Sequence, residues 1–149
     1  MLKCIRTDSD NPDFIALVKE LDKELAIRDV SDHAFYAQYN KIDAIKNVII
    51  AYEDNIPAGC GAFKEYEPGI AEIKRMYTPL NMRKKGIASA VLSELETWAR
   101  EAGFSKCILE TGIKQPEAIA LYEKSGYTII PNYGQYAGVG NSRCFEKKI

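Results

Sequence analysis

Arg83, Lys84 and Lys85 stand in a row directly before Gly86, Ile87 and Ala88. These six follow an apolar-alternating segment, residues 71–77, and Pro79, which can neither donate to a ladder nor continue a helix. They precede a strongly helical run over residues 86–102. The order strand, turn, Gly-containing basic loop and helix start presents backbone N–H groups without intrahelical partners at the positive end of a helix dipole. That is an anion site. Three successive cations oppose the dipole unless an anion sits among them, and they favour phosphate over carboxylate. Pyrophosphate recognition is the first chemistry suggested. A solvated helix N-terminus is the plain alternative.

The elements that must position this loop are legible from periodicity. Residues 2–7 read as a first strand. Asp8 to Pro12 supply turn and N-cap chemistry for a helix with Phe14, Leu17, Val18, Leu21 and Leu25 at helical spacing. Ser31 and Asp32 cap a short second helix containing Phe35, Tyr36 and Tyr39. Residues 48–52 and 58–66 form a hairpin around Glu53-Asp54-Asn55, and Gly59 and Gly61 in its second strand signal a bulge or a close approach. Residues 70–77 make a fourth strand. The helix from Gly86 carries Ile87, Val91, Leu92, Leu95, Trp98 and Ala99 on one face and stops at Gly103. A short strand at 107–109, a helix from Pro116 to Gly126, and strands at 127–130 and 142–147 complete the order βααβββαβαββ. Residues 131–141, with Gly134, Gly138, Gly140 and two tyrosines, read as a loop over a site.

The chain has 149 residues, 46% of them hydrophobic and 28% charged, with net charge −1. These values predict one domain over residues 1–149 with a mixed α/β sheet. The charge balance gives no support to a nucleic-acid or membrane-surface role. Cys4, Cys60, Cys107 and Cys144 form no CxxC pair, and His33 is the sole histidine, so no metal site is expected. The cysteines read as buried, reduced thiols, which predicts a cytoplasmic protein. No signal-like or membrane-spanning run is seen. Exposed strand edges allow a homodimer without requiring one.

Residues 71–89 resemble motif A of the GNAT-type N-acetyltransferases: Arg83, Gly86 and Ala88 fill the pattern Arg or Gln, two residues, Gly, any, Gly or Ala. Gln115, Ala118, Leu121-Tyr122 and Gly126-Tyr127 resemble that superfamily's second cofactor motif, and the element order agrees along the whole chain. The resemblance implies a GNAT-like fold, a central twisted, mostly antiparallel sheet with helices on both faces. It also implies acetyl-CoA as cosubstrate. The loop amides of Arg83, Lys84, Lys85, Gly86, Ile87 and Ala88 would wrap the pyrophosphate, and Ser89 would add a hydroxyl. The fourth strand would splay from the fifth, so that its backbone at Met76, Tyr77 and Thr78 pairs with the pantetheine arm as an added strand. Gln115, where Asn is commoner, keeps an amide for the cofactor but is a poorer N-cap.

The chemistry implied is transfer of an acetyl group to a primary amine of a small molecule or peptide, by direct attack in a ternary complex. Glu72 lies where some members of the superfamily place a general base; a salt bridge to Lys74 on the same strand face is the structural alternative. Tyr122 matches the tyrosine whose hydroxyl lies near the CoA sulfur; a core tyrosine is its alternative. Tyr36, Asn40, Glu72, Tyr133 and Tyr136 are the expected acceptor-binding residues. Asp29, Asp32 and Glu72 hint at a cationic acceptor, and His33 reads as a surface residue. Two other readings stay open: a non-catalytic acyl-CoA sensor, and a module binding another pyrophosphate, although the Walker Gly-Lys-Ser/Thr ending is missing.

Overall fold

A computed structural model describes residues 1–28 and 44–149. The expected second helix lies outside the described residues, and with it Asp29, Asp32, His33, Phe35, Tyr36, Tyr39 and Asn40. Among the described residues, seven strands form one sheet: β1 (Leu2–Thr7), β2 (Asn47–Glu53), β3 (Ile56–Glu67), β4 (Ile70–Tyr77), β5 (Lys106–Gly112), β6 (Thr128–Ile130) and β7 (Ser142–Lys148). Their spatial order is β1-β2-β3-β4-β5-β7-β6. Only β4 and β5 run parallel. Three described helices cover the sheet: α1 (Pro12–Arg28), α2 (Ile87–Glu101) and α3 (Pro116–Lys124).

Local chemistry sets the boundaries. Asn11 Oδ1 accepts from the Asp13 N–H at 2.9 Å, with Pro12 at the first helical position, so α1 is capped where the sequence predicts. Asp54 and Asn55 both take positive φ, 50° and 69°, as the tight β2–β3 hairpin demands. Gly103, at φ +97°, follows the end of α2. The fifth strand runs longer than the apolar triplet suggests, because β7 pairs with it along its whole length, from Lys106↔Lys148 to Gly112↔Ser142. Of the four free cysteines, three are buried as expected; Cys4 is only half-buried, since β1 is an edge strand.

Alternation divides the core between the two sheet faces. Phe14, Leu17 and Val18 of α1 pack with Val48, Ile50, Cys60 and Ala62 on one face. Ile87, Val91, Leu92 and Leu95 of α2 and Tyr122 of α3 pack with Ile49, Phe63, Ile73 and Phe145 on the other. Glu96 is also buried in α2, where Tyr127 Oη donates to it at 2.8 Å and Lys147 Nζ at 2.9 Å. A buried carboxylate is tolerated only with such partners. Glu96→Ala strands both donors and is expected to lower stability by about 2 kcal/mol, read from the urea midpoint; an unchanged midpoint would show that the trio contributes nothing.

Candidate active site

β4 and β5 pair only at Ile70↔Lys106, Ala71↔Cys107 and Glu72↔Ile108. Beyond Glu72, β4 stays with β3 while β5 stays with β7, so the two strands part. The gap opens into a groove of about 540 Å3 that reaches the start of α2 at one end and the α3 wall at the other. Among the described residues, no strand lies against the edge of β4 that faces this gap over residues 73–77.

A bulge shapes that edge. Ala62 pairs with Lys74 and Cys60 with Tyr77, so β4 carries one residue more than β3, and Arg75 takes φ 59° to absorb it. The Arg75 side chain is buried, and its Nη1 donates to Asp22 Oδ1 of α1 at 3.1 Å. Met76 contacts the α2-side core, and Met76, Tyr77 and Thr78 all line the groove.

The basic loop closes one end of the groove. Lys84 (φ 65°) and Gly86 (φ 77°) both adopt left-handed backbone. Gly86 is the N-cap of α2 and has no side chain to satisfy the first turn, so the N–H groups of Ile87, Ala88 and Ser89 lack intrahelical acceptors. All three residues line the groove, together with Arg83, Lys84 and Gly86. The three cations divide their roles. Arg83 Nη2 donates to both carboxylate oxygens of Glu24 at 2.7 and 2.8 Å, and its Nε donates to the Thr78 carbonyl at 2.9 Å. Its side chain therefore fastens the loop to α1 and to the end of β4. Lys84 and Lys85 are exposed, and the Lys85 side chain lies by Met82 Sδ at 4.0 Å, outside the groove lining.

At the other end, Gln115 precedes Pro116 as N-cap without making a side-chain cap, and it lines the groove. Tyr122 lines it too, although it is only 5% exposed. Burial pushes the Tyr122 phenol well above the usual tyrosine range, and Glu110 adds to the shift, so the hydroxyl stays protonated.

Glu72 does not line the groove and is 4% exposed. Its Oε2 accepts from Tyr133 Oη at 2.7 Å, and its Oε1 lies 3.6 Å from Lys74 Nζ. The salt bridge weighed against the base is thus present, and it joins Glu72 to a residue that lines the groove. Tyr133 stacks edge-on against Tyr66 and Tyr136, with ring centroids 5.1 and 5.9 Å away. Tyr136 is buried against Cys144 rather than wet-tipped. Asn132 Nδ2 donates to the carbonyls of Val139 and Ser142 at 2.8 and 3.1 Å, which closes the loop onto itself above the β4–β5 junction. Glu110 escaped the sequence reading. It lines the groove from β5, and the signal was its place as the lone carboxylate in a strand whose neighbours Cys107, Ile108 and Leu109 are apolar.

The sequence profile of the acetyltransferase (GNAT) family matches residues 14–127. The chain belongs to the GNAT acetyltransferase family. An IAA acetyltransferase of Azospirillum brasilense is 33% identical over 138 residues, covering 91% of this chain and 90% of the relative. Among solved structures, a candidate acyl-CoA N-acyltransferase of Klebsiella pneumoniae superposes with TM-score 0.84 at 27% identity, over 99% of this chain and 97% of the other. The PaiA N-acetyltransferase of Thermoplasma acidophilum, solved with coenzyme A, shares the fold with TM-score 0.73 at 16% identity, over 100% and 99% of the two chains. As a GNAT protein the chain is an acetyl-CoA-dependent N-acetyltransferase. Its groove suits that cosubstrate, because an open strand edge can accept an amide-rich arm and the uncapped first turn of α2 can accept phosphate.

Proposed function

We propose that the groove binds acetyl-CoA along β4 and that the acceptor is a primary amine of a small molecule or a peptide, attacking directly in a ternary complex. The observation that carries this reading is the parting of β4 from β5 beside an uncapped helix start. Acetyl-CoA supplies an already activated acyl group, so the protein needs no covalent nucleophile.

In this reading the amides of Ile87, Ala88 and Ser89 hold the pyrophosphate, aided by Lys84, while Arg83 keeps the loop in shape through Glu24. Residues 76–78 hold the pantetheine arm with backbone groups, and the Met76 amide stabilises charge developing on the thioester oxygen. Gln115 offers its side-chain amide to the arm. Tyr122, held protonated by burial, donates its proton to the departing sulfur. Glu72 accepts the proton of the attacking amine through an intervening group, because its own carboxylate is set back from the groove. Tyr133 positions Glu72, and the acceptor rests against the face that Tyr133 and Lys74 share, with Tyr36 and Asn40 as further candidates from the segment outside the described residues. Tyr136 supports Tyr133 from behind.

Tyr122→Phe removes one hydroxyl from a packed position and is expected to lower kcat about 10- to 100-fold with KM for acetyl-CoA little changed. Steady-state thiol release over an amine panel reads both numbers. An unaltered kcat would reduce Tyr122 to a packing residue. A calorimetric titration with acetyl-CoA tests the groove itself. Stoichiometric binding without turnover on any amine would instead favour a sensor. No described helix is long and apolar enough to cross a membrane. The free cysteines are in keeping with a reducing, cytoplasmic setting.

A further inference from the structure

We propose that Lys74 is itself an acetyl acceptor, a self-modification site that the chain acetylates from its own bound acetyl-CoA. The inference rests on the assignment of the groove to acetyl-CoA and extends it to one residue.

The placement comes from register. Glu72 and Ile108 are the last paired residues before β4 and β5 part, so the vertex of the gap lies just beyond them. Lys74 is the next β4 residue on the Glu72 face, and Glu110 is the matching residue on β5. Both line the groove. An arm held along residues 76–78 from the α2 end places its reactive end toward this vertex. Among the described residues, the amine closest to that end is therefore Lys74.

The surroundings suit attack. The Lys74 side chain is only 15% exposed, yet it lines the groove, so the groove gives it access that bulk solvent does not. Burial holds its ammonium below the usual lysine range, opposed by the Glu72 and Glu110 charges, with Lys64 and Arg75 adding to the lowering. Glu72 Oε1, 3.6 Å away, is a ready proton acceptor. In the step, the ammonium gives one proton to Glu72. The neutral Nζ then forms an amide bond to the acyl carbon while the carbon–sulfur bond breaks and the electron pair leaves with sulfur. The second nitrogen proton ends on that sulfur, and CoA departs as the free thiol. No oxidant or reductant takes part. Acetylation removes the cation facing Glu72 and fills the vertex, so it would restrain further turnover when external acceptor is scarce.

The test incubates the full chain with acetyl-CoA and no amine, and follows acetylation of each lysine by peptide mass mapping, with a calorimetric titration on the same preparation. Lys74 is expected to gain an acetyl group at least about 10-fold faster than Lys84 and Lys85, although those are exposed, because bound donor raises its effective concentration. Ordinary chemical acetylation follows exposure and gives the opposite order. Gly86→Glu is expected to bring Lys74 down to the slowest rate, and Lys74→Arg to remove the fast acetyl from the intact mass. Binding of acetyl-CoA without preferential modification of Lys74 overturns this inference alone. Failure of acetyl-CoA to bind overturns the groove assignment and this inference with it.

Discussion

Gly86→Glu should weaken acetyl-CoA binding at least about 100-fold while the chain stays folded. Gly86 sits at φ +77°, and an added Cβ would meet nothing within 4 Å, so the side chain has room. The left-handed backbone costs a non-glycine residue about 1 kcal/mol. An acidic group at a helix start returns about 0.3–1 kcal/mol of that through the dipole. Thermal unfolding should therefore move by no more than roughly 2–4 °C. Binding has no such compensation. The new carboxylate occupies the first-turn amides of α2 from within the chain and repels the incoming phosphates. Gly86→Ala is the control: it carries the same backbone strain without the charge, and most of the affinity should survive. Calorimetry and a melting curve on both variants separate the effects. Undiminished binding by Gly86→Glu would place the pyrophosphate elsewhere.

Gly61→Val has the largest expected effect on stability, more than about 4 kcal/mol or outright failure to fold. By propensity alone valine improves a strand. The three-dimensional context reverses that preference. A Cβ at Gly61 would lie 2.5 Å from Met76 Sδ, 2.8 Å from Leu95 Cδ1 and 2.9 Å from Val91 Cγ1. The last two belong to the buried face of α2, which rests directly on the bare backbone of β3. Relief would require lifting α2 from the sheet, and with it the loop that ends at Gly86. Gly59, whose Cβ would come 2.7 Å from Ile87 Cγ2, guards the same contact one turn earlier in the helix. Urea unfolding and soluble yield report the outcome. A wild-type midpoint for Gly61→Val would mean that α2 does not pack on β3 this closely.

The two glycines also show how far the sequence reaches. Their presence inside a strand announced a bulge or a close approach, and the structure contains both: the register shifts between Cys60 and Ala62, and α2 packs directly on the backbone of Gly59 and Gly61. What the sequence did not show is that the extra residue of the bulge belongs to β4, at Arg75. A bulge is a relation between two strands, and residue types on one of them do not reveal which side holds the excess.

The basic loop teaches the same lesson through charge. Three adjacent cations before a glycine demand an anion, and the sequence alone offers all three to phosphate. The structure gives Arg83 to Glu24, a residue 59 positions earlier, and leaves Lys84 lining the groove and Lys85 outside its lining. The demand was local and legible; its partner depended on how α1 lies across the end of β4. Glu72 behaves alike. Its i, i+2 neighbour Lys74 was visible in the alternation, but Tyr133, from the segment between β6 and β7, supplies the second contact, donating to Glu72 Oε2. Glu110 stands out in the sequence as a lone carboxylate among apolar neighbours, but its place beside the groove follows only from the parting of β4 from β5.

The sequence by itself determined the order of the described elements, the caps and turns at Asn11, Asp54-Asn55 and Gly103, the sheet class and the family, because each depends on residues near one another in the chain. The tertiary structure decided where the strands part, which cation meets which carboxylate, and which lysine stands at the vertex. Those outcomes depend on long-range contacts, where strand pairing and burial choose among partners that local sequence leaves equivalent.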